Sequence, residues 1–183
     1  MVDVNEKLRE AAMVGSEAEL KALLNNPECD TSSKDESGMT ALMWAANCGQ
    51  DACVRFLLPL SDASSQTKNG MTALMNASCY GYEACVGILL PAGSTWTKDK
   101  DGWTALMWAA YYGYEACVRL LMPASDPCAK TAGGLTAGDL ARSQSHVSLG
   151  HFIDAYVLAQ NERFDIDAAV SPRALSGKPA LRV

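Results

Sequence analysis

Histidine is scarce in this chain, with two among 183 residues, and basic residues fall short of acidic ones, leaving a formal charge of −6. That balance argues against nonspecific binding to nucleic acid or to an anionic membrane, since both reward a positive field. No apolar run approaches the length that spans a bilayer. The opening stretch, residues 1–7, is acidic and polar and lacks the apolar core of a secretory signal, so a cytosolic location is expected. C-x-x-C spacing is absent, and Cys48 with Cys53 or Cys79 with Cys85 do not have zinc-ligand spacing, so no metal is expected. Phosphate-loop glycines are missing too, because Gly133-Gly134 reads as a turn, and no cofactor is expected. His146 and His151 both lie late in the chain, where only Cys117 and Cys128 could approach them and nothing orients a nucleophile. No catalytic residue is assigned, and an enzyme is not expected.

What is present is repetition. Gly38-Met-Thr-Ala-Leu-Met43 recurs at Gly70 and, as Gly102-Trp-Thr-Ala-Leu-Met107, a third time, with starts 32 residues apart. A decayed copy, Gly134-Leu-Thr-Ala-Gly138, follows at the same interval. A fixed period of this size means stacked supersecondary units. Within each unit a turn glycine precedes Thr40, Thr72 or Thr104, whose hydroxyl suits a helix N-cap. A first helix then carries an apolar stripe at i, i+3, i+4 and i+7, such as Leu42, Ala45, Ala46 and Gly49. Gly49, Gly81 and Gly113 end it as left-handed caps do. A second helix is predicted over 50–58, 82–90 and 114–122, with Asp51, Glu83 or Glu115 in its first turn and an abrupt stop at Pro59, Pro91 or Pro123.

Cys53, Cys85 and Cys117 share one repeat position. Packed helices stand roughly 8–10 Å apart, beyond the approximate 7 Å Cα limit for a disulfide. These cysteines read as small apolar core residues in a reducing compartment. Leu8, Ala11, Ala12, Gly15 and Leu20 repeat the pattern 34 residues ahead of Leu42 and its partners. The units therefore run 1–34 (N-terminal cap), 35–66, 67–98, 99–130 and 131–160 (C-terminal cap). Helices are expected near 136–143 and 146–160, with a poorly ordered tail over 161–183.

The pattern Gly-x-Thr-Ala-Leu-Met-x-Ala-Ala-x-x-Gly, followed by Cys-Val-x-x-Leu-Leu, resembles the ankyrin repeat over residues 3 to about 160. The resemblance implies an all-α solenoid of about five stacked helix-turn-helix units with β-turn tips. Two departures stand out. Ala41, Ala73 and Ala105 replace the family's proline, and Met43, Met75 and Met107 replace its histidine, which predicts purely apolar packing where that histidine bonds to the turn. The prolines that follow the second helix predict a tighter or less regular return.

Partner-binding residues are sought among the letters that change between copies. Beside the core stripe lies a second one: Trp44, Asn47, Cys48; Asn76, Cys79, Tyr80; Trp108, Tyr111, Tyr112. The resemblance places it on the concave groove, with Met39, Met71 and Trp103 at the turn tips. Eight of the chain's thirteen aromatic residues, Trp96 included, fall between Tyr80 and Tyr114. Tyr and Trp suit interfaces because they offer large area at small entropic cost. Trp44 and Trp108 read as aromatics packed between neighbouring helices, while Met71, Tyr80, Trp103 and Tyr112 read as interface. The expected contact set is Met39, Cys48, Met71, Cys79, Tyr80, Trp103, Tyr111 and Tyr112. Lys68, Lys98 and Lys100 either select an acidic partner or solubilise the edge. The resulting expectation is a monomeric, non-catalytic protein-interaction module. The alternative is a regulatory or targeting segment of a larger protein such as a kinase.

Overall fold

A computed structural model describes residues 3–170, the side chains of 161 and 163–170 excepted. Ten α-helices follow in order: α1 Val4–Val14, α2 Glu17–Leu24, α3 Ala41–Asn47, α4 Asp51–Leu57, α5 Ala73–Cys79, α6 Glu83–Leu89, α7 Ala105–Tyr111, α8 Glu115–Leu121, α9 Ala137–Ser143 and α10 Val147–Val170. No strand occurs among the described residues. Odd-numbered helices form one row and α2, α4, α6 and α8 a second, so each helix packs on its hairpin partner and on its counterparts in adjacent units. This is the expected solenoid of five helical hairpins.

The inner row is the more closely packed of the two. Ala45, Ala46, Ala77, Ser78, Ala109 and Ala110 are fully buried there, and small side chains let helix axes approach. Bulkier Cys53, Val54 and Leu57, with their repeats, fill the space to the outer row. A stack shorter along its inner row bends toward it, so the exposed side of α3, α5 and α7 is concave. Each fully buried leucine contributes roughly 1.5–3 kcal/mol, and Leu42, Leu74 and Leu106 run through the centre of this core. No helix among the described residues is long and apolar enough to cross a membrane.

All seven cysteines are free, and Cys53, Cys85 and Cys117 are buried core residues, as their shared position suggests. Thr40, Thr72 and Thr104 accept from the N–H of Met43, Met75 and Met107 at 3.3, 3.2 and 3.4 Å. The methionines are buried, and at one of them, Met107, the packing is not purely apolar. Met107 Sδ lies 3.4 Å from the Thr104 N–H, standing in for the polar half of a capping box. In the last unit Asp139 holds that position and completes the box with Thr136.

Three expectations change. Two of the three prolines do not end the second helix at once: Leu58–Leu60 and Met122–Ala124 continue as a 3₁₀ turn with Pro59 or Pro123 as its second residue, where a missing N–H costs nothing, whereas only a turn follows α6 at Pro91. The return is regular as well. Lys68, Lys100 and Ala132 donate their N–H to the carbonyls of Ser37, Asn69 and Asp101 at 3.0, 3.0 and 2.9 Å, linking each tip to the one before. Finally, α10 runs ten residues beyond its expected end, because 161–170 holds no proline or glycine and the first breaker is Pro172. The rest of the expected tail, 171–183, lies outside the described residues.

Candidate functional site

The tips supply the rigid edge of the concave face. Asp35 Oδ1 accepts from the N–H of Ser37 and Met39 at 2.8 and 2.9 Å, and Asp99 Oδ1 likewise from Asp101 and Trp103 at 3.0 and 2.8 Å. In the third and fifth units a threonine does the work, with Thr67 Oγ1 3.1 Å from Met71 N and Thr131 Oγ1 3.2 Å from Leu135 N. An aspartate has a second oxygen to offer. Asp35 Oδ2 takes the indole N–H of Trp44 at 2.9 Å, and Asp99 Oδ2 that of Trp108 at 3.0 Å. Burial pushes the Asp35 carboxyl up, yet the bonds from Met39, Trp44 and Ser37, with the charge of Arg9, hold it below its ordinary value.

Around Trp108 the aromatic rings close into a cluster. Trp103 lies 4.6 Å from Trp108 and 5.1 Å from Tyr111 between centroids, the latter edge-on. Tyr112 stacks on Trp108 at 6.2 Å and meets Tyr111 edge-on at 5.0 Å. Offset and edge-to-face geometries of this kind are the favoured ones for aromatic pairs. One unit earlier Tyr80 stacks on Tyr82 at 6.1 Å. Tyr80 is 50% exposed and Tyr112 45%, so both present large ring area, Tyr112 above the packed cluster and Tyr80 beside Tyr82. Burial first, and then the neighbouring Cys79, Tyr111 and Tyr80, push the Tyr112 hydroxyl above its ordinary value.

The expected contact set is thus gathered on one face, with one exception. Cys48, Met71, Cys79, Trp103 and Tyr111 are half-buried there, and Tyr80 and Tyr112 are exposed. Met39 is corrected: at 8% exposure it belongs to the core, its sulfur 3.9 Å from Asn76 Nδ2, because the turn folds it inward under the next unit. Trp96, counted with the aromatic cluster in sequence, lies elsewhere, against Met122, Pro123, Cys128 and Tyr156. Trp44 and Trp108 are half-buried, and their indole N–H groups are held by their own turns rather than free for a ligand. Lys98 Nζ donates to the Lys130 carbonyl at 2.8 Å, a tether between units that neither reading of the edge lysines foresaw.

Sequence reasoning also missed the N-terminal end of the face. Exposed Met13 lines a shallow hollow with Glu6, Arg9, Glu10, Asp35 and Trp44. Its place 34 residues before Asn47, in the second stripe, is the signal that could have found it. Tyr82, Tyr114 and His146 take another role: each ring lies over the glycine that ends the preceding inner helix, Gly49, Gly81 and Gly113 respectively. His146 is therefore part of the stacking, and the buried Cys117 thiol is pushed up to about 11 by burial, leaving it protonated at neutral pH. Among the described residues no group of three or more His, Cys, Asp or Glu side chains is placed to hold a metal ion.

No curated protein matches the chain. The family model for ankyrin repeats, three copies, matches residues 8–99 and 59–132, the stretch in which the Thr caps, the alanine-faced inner helices and the bonded tips recur, and the chain belongs to the ankyrin-repeat family.

Proposed function

We propose that this chain is a non-catalytic module that holds a segment of a partner protein against its concave face, between the turn tips and the inner helices α3, α5 and α7. Ankyrin repeats are in general protein–protein interaction modules. The observation that carries the reading is the pair of exposed tyrosines, Tyr80 stacked on Tyr82 and Tyr112 on the packed rings of Trp108 and Tyr111. A rigid surface of this kind orders few side chains on binding, so little entropy opposes association. The module acts as a monomer in the cytosol, a placement supported by seven free thiols.

Comparison of partner capture by the native chain and by Tyr80→Ala/Tyr112→Ala, with mass spectrometry of the captured proteins, tests the placement. Both side chains are largely solvent-facing, so the variant folds. Loss of a specific captured protein is expected. A captured set that is identical for both chains refutes the concave face as the binding surface.

A further inference from the structure

The turn tips carry four different pairs at one repeat position: Ser37-Gly38, Asn69-Gly70, Asp101-Gly102 and Gly133-Gly134. Asn69 is the one asparagine of the chain that precedes a glycine. Asparagine is thermolabile because the backbone nitrogen that follows can attack its side-chain amide, and a glycine, lacking a Cβ, leaves that nitrogen unhindered. Asn69 is exposed, and its side-chain amide has no hydrogen-bond partner among the described residues, only its backbone N–H being held, by Thr67 Oγ1 at 3.3 Å. The side chain is therefore free to turn toward Gly70. The counterparts are less reactive: serine has no carbonyl to attack, glycine has no side chain, and the carboxylate of Asp101 is a poorer electrophile than an amide.

Three backbone bonds hold this tip closed. Gly70 N–H donates to the Thr67 carbonyl at 2.9 Å, Lys68 N–H to the Ser37 carbonyl at 3.0 Å, and the Asn69 carbonyl accepts from Lys100 N–H at 3.0 Å. While the first bond is made, the hydrogen on the attacking nitrogen is engaged, so reaction waits on local opening of the tip. In the open tip the Gly70 nitrogen, its proton lost to water, bonds to Cγ of Asn69. The bond from Cγ to Nδ2 breaks, ammonia leaves with a proton, and a five-membered succinimide closes. Water then opens the ring at either carbonyl, giving aspartate or isoaspartate, so that water enters, ammonium departs and one negative charge is gained. In isoaspartate the carbonyl that accepted from Lys100 is no longer in the main chain but in the free carboxylate. The chain now runs through Cβ and Cγ and is one atom longer. There is no room for the extra atom: even an ideal Cβ on Gly70 would stand 2.9 Å from Asp99 Cα.

We propose that Asn69-Gly70 is a site of spontaneous deamidation, held back by the closed tip, and that its isoaspartyl product cannot restore the bond from Lys100 and leaves the third and fourth units loosened. Opening of the tip is reversible before the reaction and one-way after it. The loosened edge belongs to the unit that carries Asp99, Trp103 and Trp108, so the change falls at the base of the aromatic cluster.

The test is incubation of the full chain at pH 8, native and in urea, with position 69 followed by peptide mass spectrometry under electron-transfer fragmentation, which tells isoaspartate from aspartate. Conversion is expected at Asn69 ahead of every other asparagine, and about ten- to a hundredfold slower in the native chain than in urea, because the tip must open first. The aged native chain is expected to melt at a lower temperature than the fresh one. Asn69→Ser, which installs the residue found at Ser37, is expected to age with its melting temperature unchanged. Asn69→Asp, which adds the charge without lengthening the backbone, is expected to melt like the fresh native chain. Equal rates in the native and denatured chains would remove the gate, and an isoaspartyl chain that melts like the fresh one would remove the loosening. A native chain still unconverted after roughly a hundred half-lives of the denatured one overturns the site itself.

Discussion

Trp108 donates its indole hydrogen to Asp99, nine residues earlier, at 3.0 Å, and the same bond joins Trp44 to Asp35 two units away. The unit between them has Thr67 and Asn76 at these two positions, so tryptophan and aspartate come and go together. The reason is stoichiometric. A threonine hydroxyl is used up by the turn, whereas a carboxylate caps the turn with one oxygen and holds the indole with the other. The tip and the inner helix are thereby locked in one geometry, and Trp103 packs on the indole so fixed.

A double-mutant cycle of Asp99→Ala and Trp108→Phe measures this lock. Asp99→Ala removes the acceptor of three donors in a largely buried turn and is expected to cost about 2–3 kcal/mol. The coupling between the two changes is expected near 1 kcal/mol by urea unfolding. Strictly additive effects would show that the indole bond contributes nothing beyond packing.

Gly102 and Gly134 occupy the same repeat position with nearly the same φ, 79° and 81°. An alanine Cβ at 102 would stand 2.8 Å from the backbone nitrogen of Ala132, while at 134 nothing among the described residues lies within 4 Å. Both substitutions meet the left-handed penalty of about 1 kcal/mol, and Gly102→Ala is expected to cost about 2 kcal/mol more. Equal melting temperatures for the two variants would contradict the repeat-to-repeat contact.

Ser145 sits at φ 68°, alone among described non-glycine residues with positive φ, at the position held by Gly49, Gly81 and Gly113 in the full units. Ser145→Gly relieves that conformation and is expected to stabilise the chain by about 0.5–1 kcal/mol, read as a higher melting temperature. A lower one would mean that the serine side chain makes up for its backbone.

The Asp139 carboxyl is held at about 2, chiefly by the Thr136 N–H, then by the Thr136 hydroxyl and the Arg142 guanidinium. A carboxyl lowered in the folded state contributes stability that is present above its unfolded value of about 3.9 and lost as pH falls through the folded one. The window is therefore roughly pH 4 to 2. Hydrogen exchange in α9 is expected to accelerate across it, and Asp139→Ala to flatten that dependence. Because the carboxylate is 40% exposed, solvent screening keeps the effect small. An unchanged pH dependence in the variant would remove Asp139 from the account.

Thiol reactivity separates core from surface. Cys128 is exposed, whereas Cys85 and Cys117 are buried and pushed up to about 11. Iodoacetamide at pH 8 is expected to label Cys128 first and to spare Cys53, Cys85 and Cys117 until the stack unfolds, as read by peptide mass spectrometry. Early labelling of Cys117 would show that the fourth unit opens locally.

By itself the sequence determined the units, their helices and the core. These follow from local chemistry repeated at a fixed interval: a Thr cap, an alanine stripe, a left-handed glycine. It also pointed to one face through residues that vary between copies, and seven of the eight it selected lie there. Only the tertiary structure decided which of them are exposed. Exposure depends on the unit stacked above, which is why Met39 is buried while Tyr80 and Tyr112 stand out. It also decided that Trp44 and Trp108 are bound to their turns, that Lys98 is a tether, and that glycines alike in sequence differ in constraint. Apart from the two indole bonds, which lie within one unit, each of these is a contact with the next unit, and the period of the repeat carries no information about such neighbours.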